Sequence, residues 1–159
     1  MLNARMKIKT AVFALLISAV AASLCFAADD AFMGTWKLNE AKSKIGAGMP
    51  KNDTVVYAQS GDEVTITVDG MAEGKKVHHV WTGKFDGKDY AAKGSDMQDT
   101  RAYTKVDATT LTYKVKKDGK DVGSGKVVIS ADGKSRTVTE TNTGKDGKEA
   151  TTTAVYDKK

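Results

Sequence analysis

Five Asp-Gly pairs occur at intervals along the chain, at residues 69–70, 86–87, 118–119, 132–133 and 146–147. Both residues of such a pair tolerate the positive φ angles that tight hairpin turns require. Between the pairs, apolar and polar residues alternate, as Val64, Ile66 and Val68 do with the threonines that separate them. A period of two indicates a β-strand with one buried face. The chain is therefore expected to fold as consecutive antiparallel strands joined by hairpins.

The alternation predicts about ten strands, at residues 32–38, 54–59, 63–69, 75–83, 88–92, 98–106, 110–117, 121–130, 135–143 and 149–157. A meander of this kind leaves two sheet edges exposed unless the sheet closes on itself. We therefore predict an all-β fold, a single antiparallel up-and-down β-barrel. The longest segment between strands, 39–53, contains the only proline and fits either a short helical turn or a flexible lid over one end of the barrel.

The first 27 residues differ from the rest of the chain. Lys7 and Lys9 precede an apolar run at 11–22, and Cys25-Phe26-Ala27 offers small residues where a signal peptidase cuts. The run is too short to cross a bilayer comfortably. We interpret 1–27 as a cleavable secretory signal peptide and 28–159 as one domain, periplasmic or secreted in a bacterium, with no stable membrane anchor. Cleavage would remove the only cysteine, so no disulfide is expected.

The charge and apolar content of the chain limit which kinds of binding partner are expected. Three of the 25 basic residues belong to the signal peptide, and the others nearly balance the 20 acidic residues. No basic stripe with interleaved aromatic residues is present, so a nucleic-acid partner is not expected. Apolar residues are sparse after residue 27, which favours a barrel with a narrow or partly polar interior. The sequence does not indicate an oligomeric state.

No pattern in the sequence predicts an enzyme, a cofactor or a metal site. His78 and His79 are adjacent on a predicted strand, so their side chains point to opposite faces and cannot readily chelate one ion. One of them is expected to be a partly buried lining residue. Gly123-Ser124-Gly125 lies within a strand, where glycine marks a bulge and not a nucleophile elbow. An enzymatic role would need an inward cluster of acid and base residues with shifted pKa values.

Three motifs carry a resemblance to a known superfamily. They are Phe32-Met33-Gly34-Thr35-Trp36-Lys37-Leu38-Asn39, the pattern Trp-x-Gly-Lys-x-Asp-Gly-Lys-Asp-Tyr at 81–90, and Val155-Tyr156-Asp157-Lys158. The Gly-x-Trp on the first strand resembles that of the calycins, which include lipocalins and fatty-acid-binding proteins. The fuller set is similar to bacterial exported proteins described only as lipocalin-like. The resemblance implies a ligand-holding barrel whose bottom is closed by Trp36 packed against an arginine, and it identifies no particular ligand.

Two arginines of the domain, Arg101 and Arg136, are available for that contact, and strand pairing alone does not choose between them. Arg101 and Tyr103 share one face of a strand, similar to the Arg-x-Tyr that holds a ligand carboxylate in fatty-acid-binding proteins, though here on a middle strand. Facing inward, the pair would bind a carboxylate or phosphate by charge-assisted hydrogen bonds. Facing outward near Asp99, Arg101 would be a solvated charge, which is the commoner situation.

The aromatic residues have two open interpretations as well, because they either line a cavity or fill the barrel. We predict a protein that binds a small amphipathic or hydrophobic ligand inside the barrel. The alternative is a structural or protein-interaction module of the bacterial envelope with a filled barrel. The candidate ligand-binding residues are Trp36, Trp81, Arg101, Tyr103, Tyr113 and Arg136.

Overall fold

The structure, a computed structural model, describes residues 30–143 and 147–159. Within these ranges, ten antiparallel strands close into one barrel, each paired with its neighbours in sequence and β1 paired with β10. The predicted all-β, up-and-down barrel is confirmed, and the predicted signal peptide at 1–27 lies outside the described residues. The strands are β1 (Gly34–Leu38), β2 (Lys51–Ser60), β3 (Glu63–Ala72), β4 (Lys75–Gly83), β5 (Tyr90–Lys93), β6 (Thr100–Lys105), β7 (Thr110–Lys117), β8 (Lys120–Ile129), β9 (Ser135–Thr143) and β10 (Glu149–Lys158).

The segment between β1 and β2 forms a short 3-10 turn at Glu40–Lys42, so one of the two predicted alternatives is confirmed. Beyond it, the chain lies along β10, because Lys44 and Thr153 exchange both backbone hydrogen bonds, at 2.7 and 2.8 Å. These bonds hold Lys44 against β10, so this part of the segment is not a flexible lid. Strand β2 begins at Lys51, earlier than predicted, because a bulge between Asn52 and Thr54 lets the pairing with β3 continue past an irregularity.

The predicted turn at Asp118-Gly119 is confirmed, whereas the turn predicted at Asp69-Gly70 is wrong. That pair lies inside β3, where Gly70 leaves room for the backbone of Lys51, and the β3–β4 turn is formed by Glu73-Gly74, with φ angles of 49° and 76°. In the turn between β7 and β8, Asp118 and Gly119 have φ angles of 51° and 74°. Positive φ at both central residues matches the right-handed twist of the flanking strands. Within the described residues, no helix is long and apolar enough to cross a membrane.

The two ends of the barrel differ in the side chains that face inward. At the end where β1 begins, which we call the closed end, the largest fully buried side chains include Phe32, Trp36 and Leu111. At the opposite end, near the β7–β8 turn, the inward row contains Arg101 and Asn142, which are only half-buried. We call this the polar end. The apolar core therefore seals one end, and polar side chains occupy the other.

Candidate functional site

A column of aromatic rings runs through the interior from the closed end toward the polar end. The ring centroids of Trp81 and Tyr103 are 4.8 Å apart, and those of Tyr103 and Tyr113 are 5.1 Å apart. All three side chains are buried. The strands set these contacts, because Tyr103 on β6 and Tyr113 on β7 are direct partners in the register. The full column consists of Phe32, Phe85, Trp81, Tyr103 and Tyr113.

Arg101 lies inside the barrel at the end of this column. Its Nε donates to Gln98 Oε1 at 3.0 Å, and its Nη1 donates to the Tyr103 hydroxyl at 3.1 Å. The guanidinium carbon stands 4.6 Å from the centroid of the Tyr113 ring. Within the described part of the chain, no carboxylate forms an ion pair with it. Because a guanidinium has five N–H donors, several remain unused.

The outward placement of Arg101 beside Asp99 is wrong. Asp99 instead pairs with Lys117, whose Nζ lies 2.7 Å from the carboxylate, and accepts a hydrogen bond from the Asp118 amide. The side on which a strand residue falls depends on its register. Arg101 shares the side of Tyr103, and Tyr103 is drawn inward by its aromatic neighbours.

Glu140 and Asn142 on β9 complete the polar end, and the sequence analysis missed both. The Tyr113 hydroxyl donates to one oxygen of Glu140, and the Asn142 amide donates to the other. Burial and the Glu140 carboxylate raise the pKa of Tyr113 well above its ordinary value, so the phenol remains a donor. Alternation along β9 places both residues on the same face as Arg136 and Val138, which could have indicated that they point inward. The many threonines on β9 made this pattern hard to recognise.

Two glycines on β8 make room for this cluster. A Cβ added to Gly125 would lie 2.3 Å from the Tyr113 ring, and one added to Gly123 would lie 1.7 Å from Asn142 Oδ1. Side chains from β7 and β9 therefore occupy the space that β8 leaves empty. The β7–β8 register shifts between Val115, which pairs with Gly123, and Lys116, which pairs with Asp121. The bulge is therefore next to Gly123, at residue 122, whereas Gly125 pairs regularly with Tyr113.

His79 also faces the interior, whereas His78 is exposed and lies 2.7 Å from Asp69. This is the division that strand alternation predicted. Burial, and next the positive charge of Arg101, lower the pKa of His79 to about 4. The imidazole is therefore neutral at pH 7.

Stability is expected to fall on acidification because of His79. The folded-state pKa of about 4 lies below the ordinary 6.5, so the unfolded chain takes up a proton first as the pH decreases. The free energy of unfolding should be highest above pH 6.5 and decrease by roughly 3 kcal/mol toward pH 4. Urea unfolding at several pH values measures it, with His79→Gln expected to flatten the curve and His78→Gln expected to keep it. Equal curves for His79→Gln and the unsubstituted protein would contradict the assignment.

The closed end holds the second inward arginine. The Arg136 guanidinium carbon lies 5.0 Å from the Trp36 ring, 4.9 Å from that of Tyr57 and 4.7 Å from that of Tyr156. The structure thus selects Arg136, not Arg101, as the arginine packed on Trp36. Its Nε and Nη1 are buried without a hydrogen-bond partner, so cation–π contacts, each of about 0.5–2 kcal/mol, are its main stabilising interactions.

The six predicted binding residues therefore form two groups. Trp81, Arg101, Tyr103 and Tyr113 contact one another toward the polar end, and Trp36 and Arg136 contact each other at the closed end. Their role in ligand binding remains a prediction. Among the residues that the structure describes, no three His, Cys, Asp or Glu side chains are grouped to hold a metal ion.

No family model matches the chain, and no curated protein matches it. The closed ten-strand barrel with its buried aromatic cluster is consistent with a calycin-like fold, and membership of the lipocalins remains a prediction from the sequence motifs.

Proposed function

We propose that this protein is an exported, lipocalin-like barrel that binds, in its interior, a small amphipathic ligand with an anionic group. The anionic group is received by Arg101, and the apolar part lies against Trp81, Tyr103 and Tyr113. One observation carries the proposal. The inward Arg101 guanidinium packs against the Tyr113 ring, has unused N–H donors, and forms no ion pair with a carboxylate in the described chain. Such a group binds carboxylate or phosphate oxygens strongly.

The charges of the interior support an anionic group on the ligand. Arg101 and Arg136 each carry a positive charge, because arginine remains protonated in proteins. Glu140 supplies one inward carboxylate, and His79 is neutral because its pKa is lowered to about 4. An uncompensated buried charge is costly. Among the described residues, Arg101 has no carboxylate in an ion pair with it, so an anionic group of a ligand beside the guanidinium would offset its charge.

The titrating groups favour binding over catalysis. A general acid or base works best with a pKa near the working pH. Here burial lowers the pKa of His79 to about 4 and raises the pKa values of Tyr103 and Tyr113 above that of free tyrosine. These shifts move the groups away from neutrality, so they remain fixed donors and acceptors at pH 7.

Replacing Arg101 by glutamine is expected to weaken ligand binding by about 10- to 100-fold, because a charge-assisted hydrogen bond contributes roughly 1.5–3 kcal/mol. Isothermal titration calorimetry of the purified protein with straight-chain carboxylates, from butanoate to decanoate, measures this effect. Trp81 fluorescence provides a second readout, since its indole Nε1 donates to the Arg101 carbonyl at 2.8 Å.

Lys126→Gln is the matched control. Lys126 is an exposed cation on β8, so its loss changes net charge equally but removes nothing from the interior. Equal loss of affinity in both variants would assign the binding to the outer surface. Absence of binding across the series would refute an anion-binding interior.

A second candidate function, a filled barrel that presents its outer face to a protein of the envelope, has one observation in its favour. Trp36, Trp81, Tyr103 and Tyr113 are all no more than 4% exposed, as expected of rings that fill the interior. In that case the calorimetric series gives no heat of binding. The Arg101→Gln variant then binds the same envelope protein as the unsubstituted protein.

A further inference from the structure

We infer that the ligand is a small zwitterion, with a primary ammonium beside its carboxylate, and not a simple fatty acid. The inference rests on the proposed function and specifies its ligand class. It comes from the acceptors at the polar end, which a purely anionic ligand would leave unused.

The first acceptor is Glu140. Tyr113 and Asn142 each donate one hydrogen bond to it, and a carboxylate has about four lone-pair sites. Two donors therefore hold the carboxylate in place and leave capacity for a third. Glu140 is half-buried beside Tyr113 and Asn142, so a donor from a ligand at the polar end would stabilise its remaining lone pairs.

The second acceptor is Asn142 Oδ1, which is buried and has no hydrogen-bond partner. The orientation of this amide is fixed, because its Nδ2 must donate to Glu140. The oxygen occupies the space above Gly123, 1.7 Å from the position of a Cβ there. An unsatisfied buried acceptor destabilises the folded state, and an N–H donor from a ligand would remove this penalty.

Tyr113 contacts both the Arg101 guanidinium and the Glu140 carboxylate, which lie on different parts of its side chain. The Arg101 guanidinium lies over its ring, and Glu140 accepts from its hydroxyl. The two groups do not form an ion pair with each other. A ligand with adjacent carboxylate and ammonium groups complements both charges at once: its carboxylate meets Arg101, and its ammonium meets Glu140 and Asn142 Oδ1.

Three ligands of matched chain length test the inference by calorimetry: hexanoate, 2-aminohexanoate and 1-aminopentane. We expect 2-aminohexanoate to bind at least about tenfold more tightly than hexanoate, as one charge-assisted hydrogen bond implies. The amine without a carboxylate should be the weakest of the three. This comparison needs no substitution, so it does not depend on whether a variant folds.

Glu140→Gln then localises the preference. It should reduce the affinity for 2-aminohexanoate to that for hexanoate without weakening hexanoate, whereas Glu149→Gln, at an exposed position on β10, should change neither. Binding of hexanoate that depends on Arg101, with no gain from the amino group, would overturn the zwitterion and leave the proposed function standing. Binding of none of the three would refute both.

Discussion

Replacing Trp36 by alanine is expected to lower the free energy of unfolding by about 3–5 kcal/mol, the usual cost of deleting a large buried aromatic side chain. Trp36 is fully buried on β1, next to the strand pair that closes the barrel. Its indole Nε1 donates to the Phe32 carbonyl at 2.9 Å. Its ring also stacks against Arg136, so the substitution leaves a cavity beside a buried charge. Urea unfolding followed by circular dichroism measures the loss.

Trp36→Phe separates the contributions. Phenylalanine keeps an aromatic face toward Arg136 but cannot donate to Phe32, so we expect a loss of about 1–2 kcal/mol. A loss below 1 kcal/mol for Trp36→Ala would show that the closed end is not a cooperative part of the core. Such a result would also contradict the role of Trp36 in closing the barrel.

Much of the fold was predictable because hairpin chemistry is local. An Asp-Gly pair favours a turn, as at 118–119, and a period of two indicates that one face of each strand is buried. The pair at 69–70 is an exception, because it lies inside β3 and is paired on both sides. Barrel closure then follows from the edges that a meander must hide. The errors at strand ends have local causes as well: β2 extends to Lys51 because a bulge near Asn52 keeps it paired, an irregularity that alternation does not encode.

The site was less predictable because it depends on distant strands. The short Arg-x-Tyr spacing brought Arg101 and Tyr103 together, yet their inward orientation is fixed by Trp81 and Tyr113 on other strands. Glu140 was missed because it stands among threonines on β9, and only its partner Tyr113 on β7 makes it part of a site. Register between strands, not spacing within one, determines such contacts.

The pairing between β4 and β5, which we call the seam, is short. Adding a methyl group at Gly94, next to this seam, is expected to disrupt it. Strand β5 has only four residues, and its register with β4 contains the pairs Val80 with Lys93 and Trp81 with Ala92. Gly94 follows directly, with φ at +83°, and a Cβ there would lie 2.4 Å from the His78 carbonyl oxygen. Gly94→Ala should therefore cost about 2–5 kcal/mol, from left-handed strain of roughly 1–2 kcal/mol and steric overlap of roughly 1–3 kcal/mol.

Gly74→Ala supplies the control for that strain. Gly74 has a similar φ of +76°, but nothing lies within 4 Å of a Cβ at that position, so its substitution should cost only about 1–2 kcal/mol. The difference between the two variants in urea unfolding isolates the overlap with β4. Gly94→Ala should also speed amide hydrogen exchange at Val80 and Trp81, which pair with β5. Gly74→Ala lies in the turn at the other end of β4 and should not affect these two amides. Equal destabilisation by both substitutions would show that β5 moves away from the His78 carbonyl at little cost. It would also show that the seam contributes little to the stability of the barrel.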